Sequence, residues 1–255
     1  MTQPKRPASR RARAGARPSG AEPRRDKQRP RAGRPVAPVR SGWRERPLPL
    51  LAGLAAIVVV AAVLIFGGRP GATAARPAPS GCPTSEPAPL AAGQTRTVTI
   101  ETAKGSIVIK VDGRLAPIAT GNFVALAGCG FYDGVVFHRA ASLPDGTPFV
   151  IQGGDRENGN GTGGPGYTIA DEPVTTNYRR GTVAMARTSQ PHSEGSQFFV
   201  VLSDLAAASL QSANNYAILG EVNSGMDVAD AIFGAADKES PTNPIPMTHV
   251  GVTSP

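Results

Sequence analysis

The pattern of apolar and polar positions divides the chain into three regimes. Residues 1–47 hold Arg, Pro, Ala, Gly and Ser, with almost no large apolar side chains. Such a segment buries too little surface to offset the entropy of ordering it, so a disordered tail is expected. Leu48 to Phe66 then reads LPLLAGLAAIVVVAAVLIF, and no charge occurs between Arg46 and Arg69. About 20 apolar residues in a helix span about 30 Å, the thickness of a bilayer core. A helix apolar on every face also suits a membrane better than a globular core. One transmembrane helix is therefore predicted over residues 48–67. Residues 68–95 are rich in Pro, Ala, Gly and Ser and read as an extended tether.

From about Arg96 short alternating runs begin. Val98, Ile100, Ile107, Ile109 and Val111 alternate around Ala103-Lys104-Gly105, which predicts a hairpin. Pro117 opens a helical stretch through Ile118, Asn122, Phe123 and Leu126, with Gly128 as its stop. Further strands are predicted at Val135–Arg139, Phe149–Gln152, Thr182–Ala186, Gln197–Leu202, Ala217–Val222 and Met247–Val252. Gly225–Phe233 makes a second amphipathic helix. Many short strands, glycine turns and two helices predict a mainly β domain over residues 96–255: a closed antiparallel barrel plugged by helices.

Charge refines this picture. Met1–Pro47 holds 15 Lys or Arg against 3 Asp or Glu, about +12, while the whole chain carries +8. The folded part is thus mildly acidic, about −4, and no nucleic-acid partner is expected. Arginines crowd before the apolar run, and only Arg69 and Arg76 follow it closely. The positive-inside rule then puts the N-terminus in the cytoplasm and the C-terminal domain outside, a single-pass protein of the cell membrane. Trp43 lies where an interfacial aromatic would sit. The basic tail can also touch anionic lipid, each such charge contributing about 1 kcal/mol. A cleaved signal peptide is the alternative, since Ala72-Thr73-Ala74 resembles a cleavage site, but the apolar run is long and its leader longer still.

The chain has two cysteines, Cys82 and Cys129. Pro79, Ser80 and Gly81 before Cys82 do not resemble a lipid-attachment signal. In an oxidising compartment the pair invites one disulfide, the alternative being two free thiols. His138, His192 and His249 show no metal-ligand spacing, and the glycine run Gly159–Gly166 lacks the lysine of a phosphate loop.

The densest chemistry lies in Phe131–Asp155 and in Gly195–Val201. FYDGVVFHR, FVIQGGD, GTGGPGY, GTVAMAR, GSQFFV, and YAILGEV followed by GMDV stand in the order and spacing of cyclophilin-type peptidyl-prolyl isomerases. The resemblance spans residues 96–255, and the whole chain looks like a membrane-anchored bacterial cyclophilin. It implies an eight-stranded barrel with two capping helices. It also implies rotation about X–Pro bonds, which crosses a barrier of about 18–20 kcal/mol without breaking any bond. Such a reaction asks for no metal, cofactor or nucleophile. It asks for an apolar cup, a grip on the flanking backbone, and a donor aimed at the prolyl nitrogen as its lone pair returns in the twisted amide.

By resemblance Arg139 is that catalytic donor, and His138 beside it is scaffold. Phe149, Phe199, Met185 and Leu210 are the expected cup. Gln152 and Gln197 are expected to bond substrate backbone, and Ala186 and Arg187 to form the edge along which the peptide lies. Arg187 replaces an asparagine common in eukaryotic members, and Tyr216 replaces a histidine at the groove mouth. The family's groove tryptophan is absent, which argues against tight cyclosporin binding. The expected partners are proline-containing polypeptides, exported or at the surface, met by a monomer. A proline-peptide binding module or chaperone with incidental turnover is the competing reading.

Overall fold

The computed structural model describes residues 76–254. The predicted tail and membrane span, and with them Trp43, lie outside the described residues, and no helix among the described residues is long and apolar enough to cross a membrane.

The hairpin forms as its alternation requires. β1 (Thr95–Thr102) pairs antiparallel with β2 (Gly105–Asp112), setting Val98 against Ile109 and Ile100 against Ile107. All four side chains are buried. The turn is pinned by Thr102, whose Oγ1 accepts from Lys104 N at 3.0 Å. Next comes α1 (Pro117–Gly128). Its N-cap, Ala116, has no capping side chain. Glu172, far along the chain, replaces it: the carboxylate accepts from Ile118 N at 3.0 Å and from Ala119 N at 2.8 Å.

The remaining strands are β3 (Arg139–Ser142), β4 (Pro148–Gly153), β5 (Thr182–Met185), β6 (Phe198–Val201), β7 (Ile218–Ser224) and β8 (Met247–Thr253). All join one antiparallel sheet in the order β3-β4-β6-β5-β7-β2-β1-β8. The sheet curls, and β3 and β8 form its two ends without sharing a ladder. Residues 134–140 meet residues 239–247 through single bonds instead, among them Gly134 N to Met247 O at 2.7 Å and Phe137 N to Ile245 O at 2.9 Å. The sequence explains the break. Pro241, Pro244 and Pro246 have no N–H to continue a ladder. For the same reason the predicted strand at Val135–Arg139 starts only at Arg139.

Among the described residues three helices accompany the sheet rather than the expected two. α2 (Asp204–Ala213) is the addition, capped by Ser203 Oγ, which accepts from Ala206 N, and ended by Asn214 in the left-handed region at φ 45°. α3 (Met226–Gly234) is the predicted second amphipathic helix.

The expected tether is in its second half part of the folded body. Leu90 is buried in the core, and its N–H donates to Pro117 O at 2.9 Å. Glu86 accepts from Ala170 N, and Arg156 donates to Pro77 O. Cys82 and Cys129 form a disulfide, S–S 2.04 Å, tying this strap to the end of α1. Gly121 of α1 shows how close the strap lies: a Cβ there would come within 2.7 Å of Leu90 N and nearer still to Ala88 O.

Candidate active site

Strand parity sorts the apolar residues into two clusters on opposite faces of the sheet. The larger holds Ile151, Val183, Met185, Phe198 and Val200, with side chains of α1 and α3 packed on it. The smaller holds Ala141, Val150, Ala184, Phe199, Val201 and Ile218, with Leu210 and its neighbours from α2. Phe149, Ala186 and Tyr216 pack against the second cluster.

Register then draws one row across the second face. Arg139 pairs with Gln152, Gln152 with Phe199, Phe199 with Ala184, and Ala184 with Ile218. Residues directly opposite on an antiparallel pair share a face. The row therefore runs from a cation, through an amide, to an aromatic floor. The Tyr216 ring meets the Phe199 ring edge-on, centroids 5.5 Å apart. Burial pushes the Tyr216 phenol above its ordinary pKa, so it stays a neutral donor.

The polar end of the row is a relay. Arg139 Nη1 donates to Gln152 Oε1 at 3.2 Å, and Gln152 Nε2 donates to Gln197 Oε1 at 3.0 Å. Gln197 Nε2 donates in turn to the carbonyls of Gly161 and Gly163, at 2.9 and 2.8 Å. Arg139 Nη2 is buried and has no hydrogen-bond partner among the described residues. The glycine loop at the far end is wound around Asp155, which accepts from the backbone N–H groups of Asn158, Asn160, Gly161 and Gly163. Burial raises the Asp155 pKa, but those four bonds outweigh it and hold the carboxyl below its ordinary range. Gly161, at φ 92°, adopts a conformation that L side chains avoid, which is why glycine recurs in this run.

His138 is buried, 6% exposed, and neither ring nitrogen has a partner among the described residues. Burial lowers its pKa to about 4, with Asp155 opposing and Arg139 assisting, so the ring is neutral. It lies beside the glycine loop, where a Cβ at Gly161 would come within 3.2 Å of its Nε2.

Cyclophilin-type peptidyl-prolyl cis-trans isomerases are the family whose model matches, over residues 97–252. The chain belongs to that family. It is 40% identical over 147 residues to a peptidyl-prolyl cis-trans isomerase of Streptomyces antibioticus, covering 54% of this chain and 83% of that one. It is 38% identical over 149 residues to peptidyl-prolyl cis-trans isomerase B of Escherichia coli, covering 56% and 87%. A crystal structure of a Cryptosporidium parvum cyclophilin, solved in the presence of the dipeptide Ala-Pro, matches with TM-score 0.54 and 31% identity, covering 62% of this chain and 99% of that one. The protein is a peptidyl-prolyl cis-trans isomerase.

Within this cyclophilin domain the sequence-predicted residues divide. Arg139, Gln152, Gln197, Phe149, Phe199, Leu210, Ala186 and Tyr216 come together on the second face. Met185 does not: it is fully buried in the cluster of the opposite face. Val150, not among the predicted residues, lies in the cluster with Phe199 and Leu210 instead. Arg187 is held away from free solvent. Its Nη1 lies 3.2 Å from Asp171 Oδ1, and its Nη2 donates to Gln190 O at 2.9 Å. The edge backbone beside it is already engaged on one side, Ala186 N donating to Gln197 O at 2.8 Å. No group of metal-ligating side chains occurs among the described residues.

Proposed function

We propose that Arg139 is the catalytic donor of this isomerase, and that Phe149, Phe199 and Leu210 receive the proline ring while Gln152 and Gln197 grip the flanking backbone. The observation that carries the reading is the row Arg139–Gln152–Phe199, with the Arg139 guanidinium held at its head by Gln152. Twisting the X–Pro amide restores the nitrogen lone pair, and a fixed N–H aimed there binds the twisted state better than either planar state. The guanidinium acts as a hydrogen-bond donor only and gives up no proton. The substrates are proline-containing polypeptides. In a protease-coupled assay on a short X–Pro peptide, Arg139→Ala is expected to lower kcat/KM about a hundred- to a thousandfold, the usual loss for one such donor. Wild-type rates from that variant would remove Arg139 from the mechanism.

The reading extends to place. The apolar run 48–67, its basic leader and the Cys82–Cys129 pairing all support a domain anchored outside the cytoplasmic membrane, acting on exported or surface proteins. Protease added to intact spheroplasts should digest the C-terminal domain; full protection would overturn that topology.

A further inference from the structure

β3 is an end strand, so one side of Arg139 has no ladder neighbour. Residues 235–246 cover that side. Ala140 N donates to Glu239 O at 2.8 Å. Within the same loop Asp237 accepts from Thr242 N at 2.8 Å and from Thr242 Oγ1 at 2.7 Å, closing the turn that carries Glu239. The Glu239 carboxylate then meets Arg139 Nε at 2.7 Å.

Exposure bears on what this pair does. The Glu239 side chain is 59% exposed and that of Arg139 12%. An ion pair with one partner so open to water adds little to stability. Geometry is the larger effect. A guanidinium is a rigid plane, so bonds at two of its nitrogens fix the direction of the third. Glu239 takes Nε, Gln152 takes Nη1, and Nη2 is left without a partner among the described residues. Released from Glu239, the plane would pivot about its single bond to Gln152.

We propose that Glu239 is a positioning residue for Arg139, fixing the guanidinium plane against Gln152 so that the cation is held at the head of the row. The proposal rests on the assignment of Arg139 above. It also explains why an acidic side chain stands beside a group whose positive charge is useful: orientation gained exceeds field lost.

The test is a set of four variants of the full chain, Glu239→Ala, Glu239→Gln, Arg139→Ala and the double variant Glu239→Ala/Arg139→Ala, with kcat and KM measured separately. Glu239→Ala leaves the backbone bond to Ala140 intact, so its melting temperature should match the parent. Its kcat should fall about three- to tenfold, the range for one partly exposed charge-assisted bond, with KM within twofold. Glu239→Gln keeps an acceptor for Nε and should recover to within twofold of the parent. In the Arg139→Ala background the Glu239→Ala change should cost nothing further. Parental or faster turnover from Glu239→Ala would overturn the proposal, as would an undiminished loss in the Arg139→Ala background. If Arg139→Ala itself turned over normally, the underlying assignment would fall and this inference with it.

Discussion

Gln152 and Gln197 meet at 3.0 Å, Nε2 to Oε1, and Gln197 is the only link between that pair and the carbonyls of Gly161 and Gly163 among the bonds of the described residues. Gln197 therefore joins the row headed by Arg139 to the glycine loop. Gln197→Ala should lower stability by about 1–2 kcal/mol, the net contribution of one or two such bonds. It should also speed amide hydrogen exchange across residues 158–164. Unchanged exchange there would show that Asp155 alone holds the loop.

The two faces of the sheet make different predictions for neighbouring apolar residues. Met185 packs in the cluster opposite the groove, so Met185→Leu should cost under about 1.5 kcal/mol of stability and leave KM within twofold. Phe149 packs at the edge of the groove-side cluster. Phe149→Leu should raise KM about three- to fivefold, the loss of about 1 kcal/mol of apolar contact. A Met185→Leu variant with strongly raised KM would mean that its side chain reaches substrate.

Two buried groups set opposing pH dependences. Glu194 is 1% exposed, and burial lifts its pKa from 4.5 to about 7, against the Ala217 N–H bond and the Arg187 charge. Between those values the folded state keeps a proton that the unfolded state has lost, so stability falls as pH rises. His138 is lowered from 6.5 to about 4. Between those values the unfolded state holds the extra proton, so stability rises with pH. From about pH 4.5 to 6.5 the two slopes cancel, each about 1.4 kcal/mol per pH unit. Asp112, Asp145, Asp155 and Asp237 are all lowered from 3.8 and act below this window. Urea unfolding of Glu194→Gln should therefore climb by about 1.4 kcal/mol per pH unit across it, where the parent is flat. A flat profile from the variant would refute the pairing.

The strap can be loosened in two independent ways. The Cys82–Cys129 bridge closes a separation of 47 residues, for which chain entropy gives about 4 kcal/mol. Reduction should lower the unfolding midpoint accordingly and expose residues 76–94 to protease. Gly121→Ala should act on the same segment with the disulfide intact, at a cost of about 1–3 kcal/mol, because its Cβ has no room beneath Leu90. That sign is opposite to the usual gain of about 1 kcal/mol for Gly→Ala inside a helix. A stabilised Gly121→Ala would show that the strap yields freely.

Much of the domain could be read from the chain because its strands alternate or carry family motifs. The hairpin, α1 and α3 fall where the apolar period puts them. α2 escaped because its stretch DLAAASLQSA has few large side chains to display a period, although Ser203 before Asp204 is a capping signal. Resemblance puts Met185 in the cup, and the chain alone offers no check, because Thr182–Met185 is buried throughout and polarity cannot tell one face from the other. Register can: Phe199 pairs with Ala184, which puts the next residue, Met185, on the opposite face. Glu239 and Glu172 act on partners distant in sequence, Arg139 and the start of α1, and nothing local in the chain marks them.

The strap also decides how the domain would bear a load. A pull on the chain upstream of Cys82 reaches the Cys82–Cys129 bridge before it reaches β1. The force is then carried covalently into the end of α1, and the edge-to-edge bonds of the β1–β2 hairpin are sheltered from peeling. Tension on the N-terminal side would thus leave the row that begins at Arg139 undisturbed until the bridge is reduced.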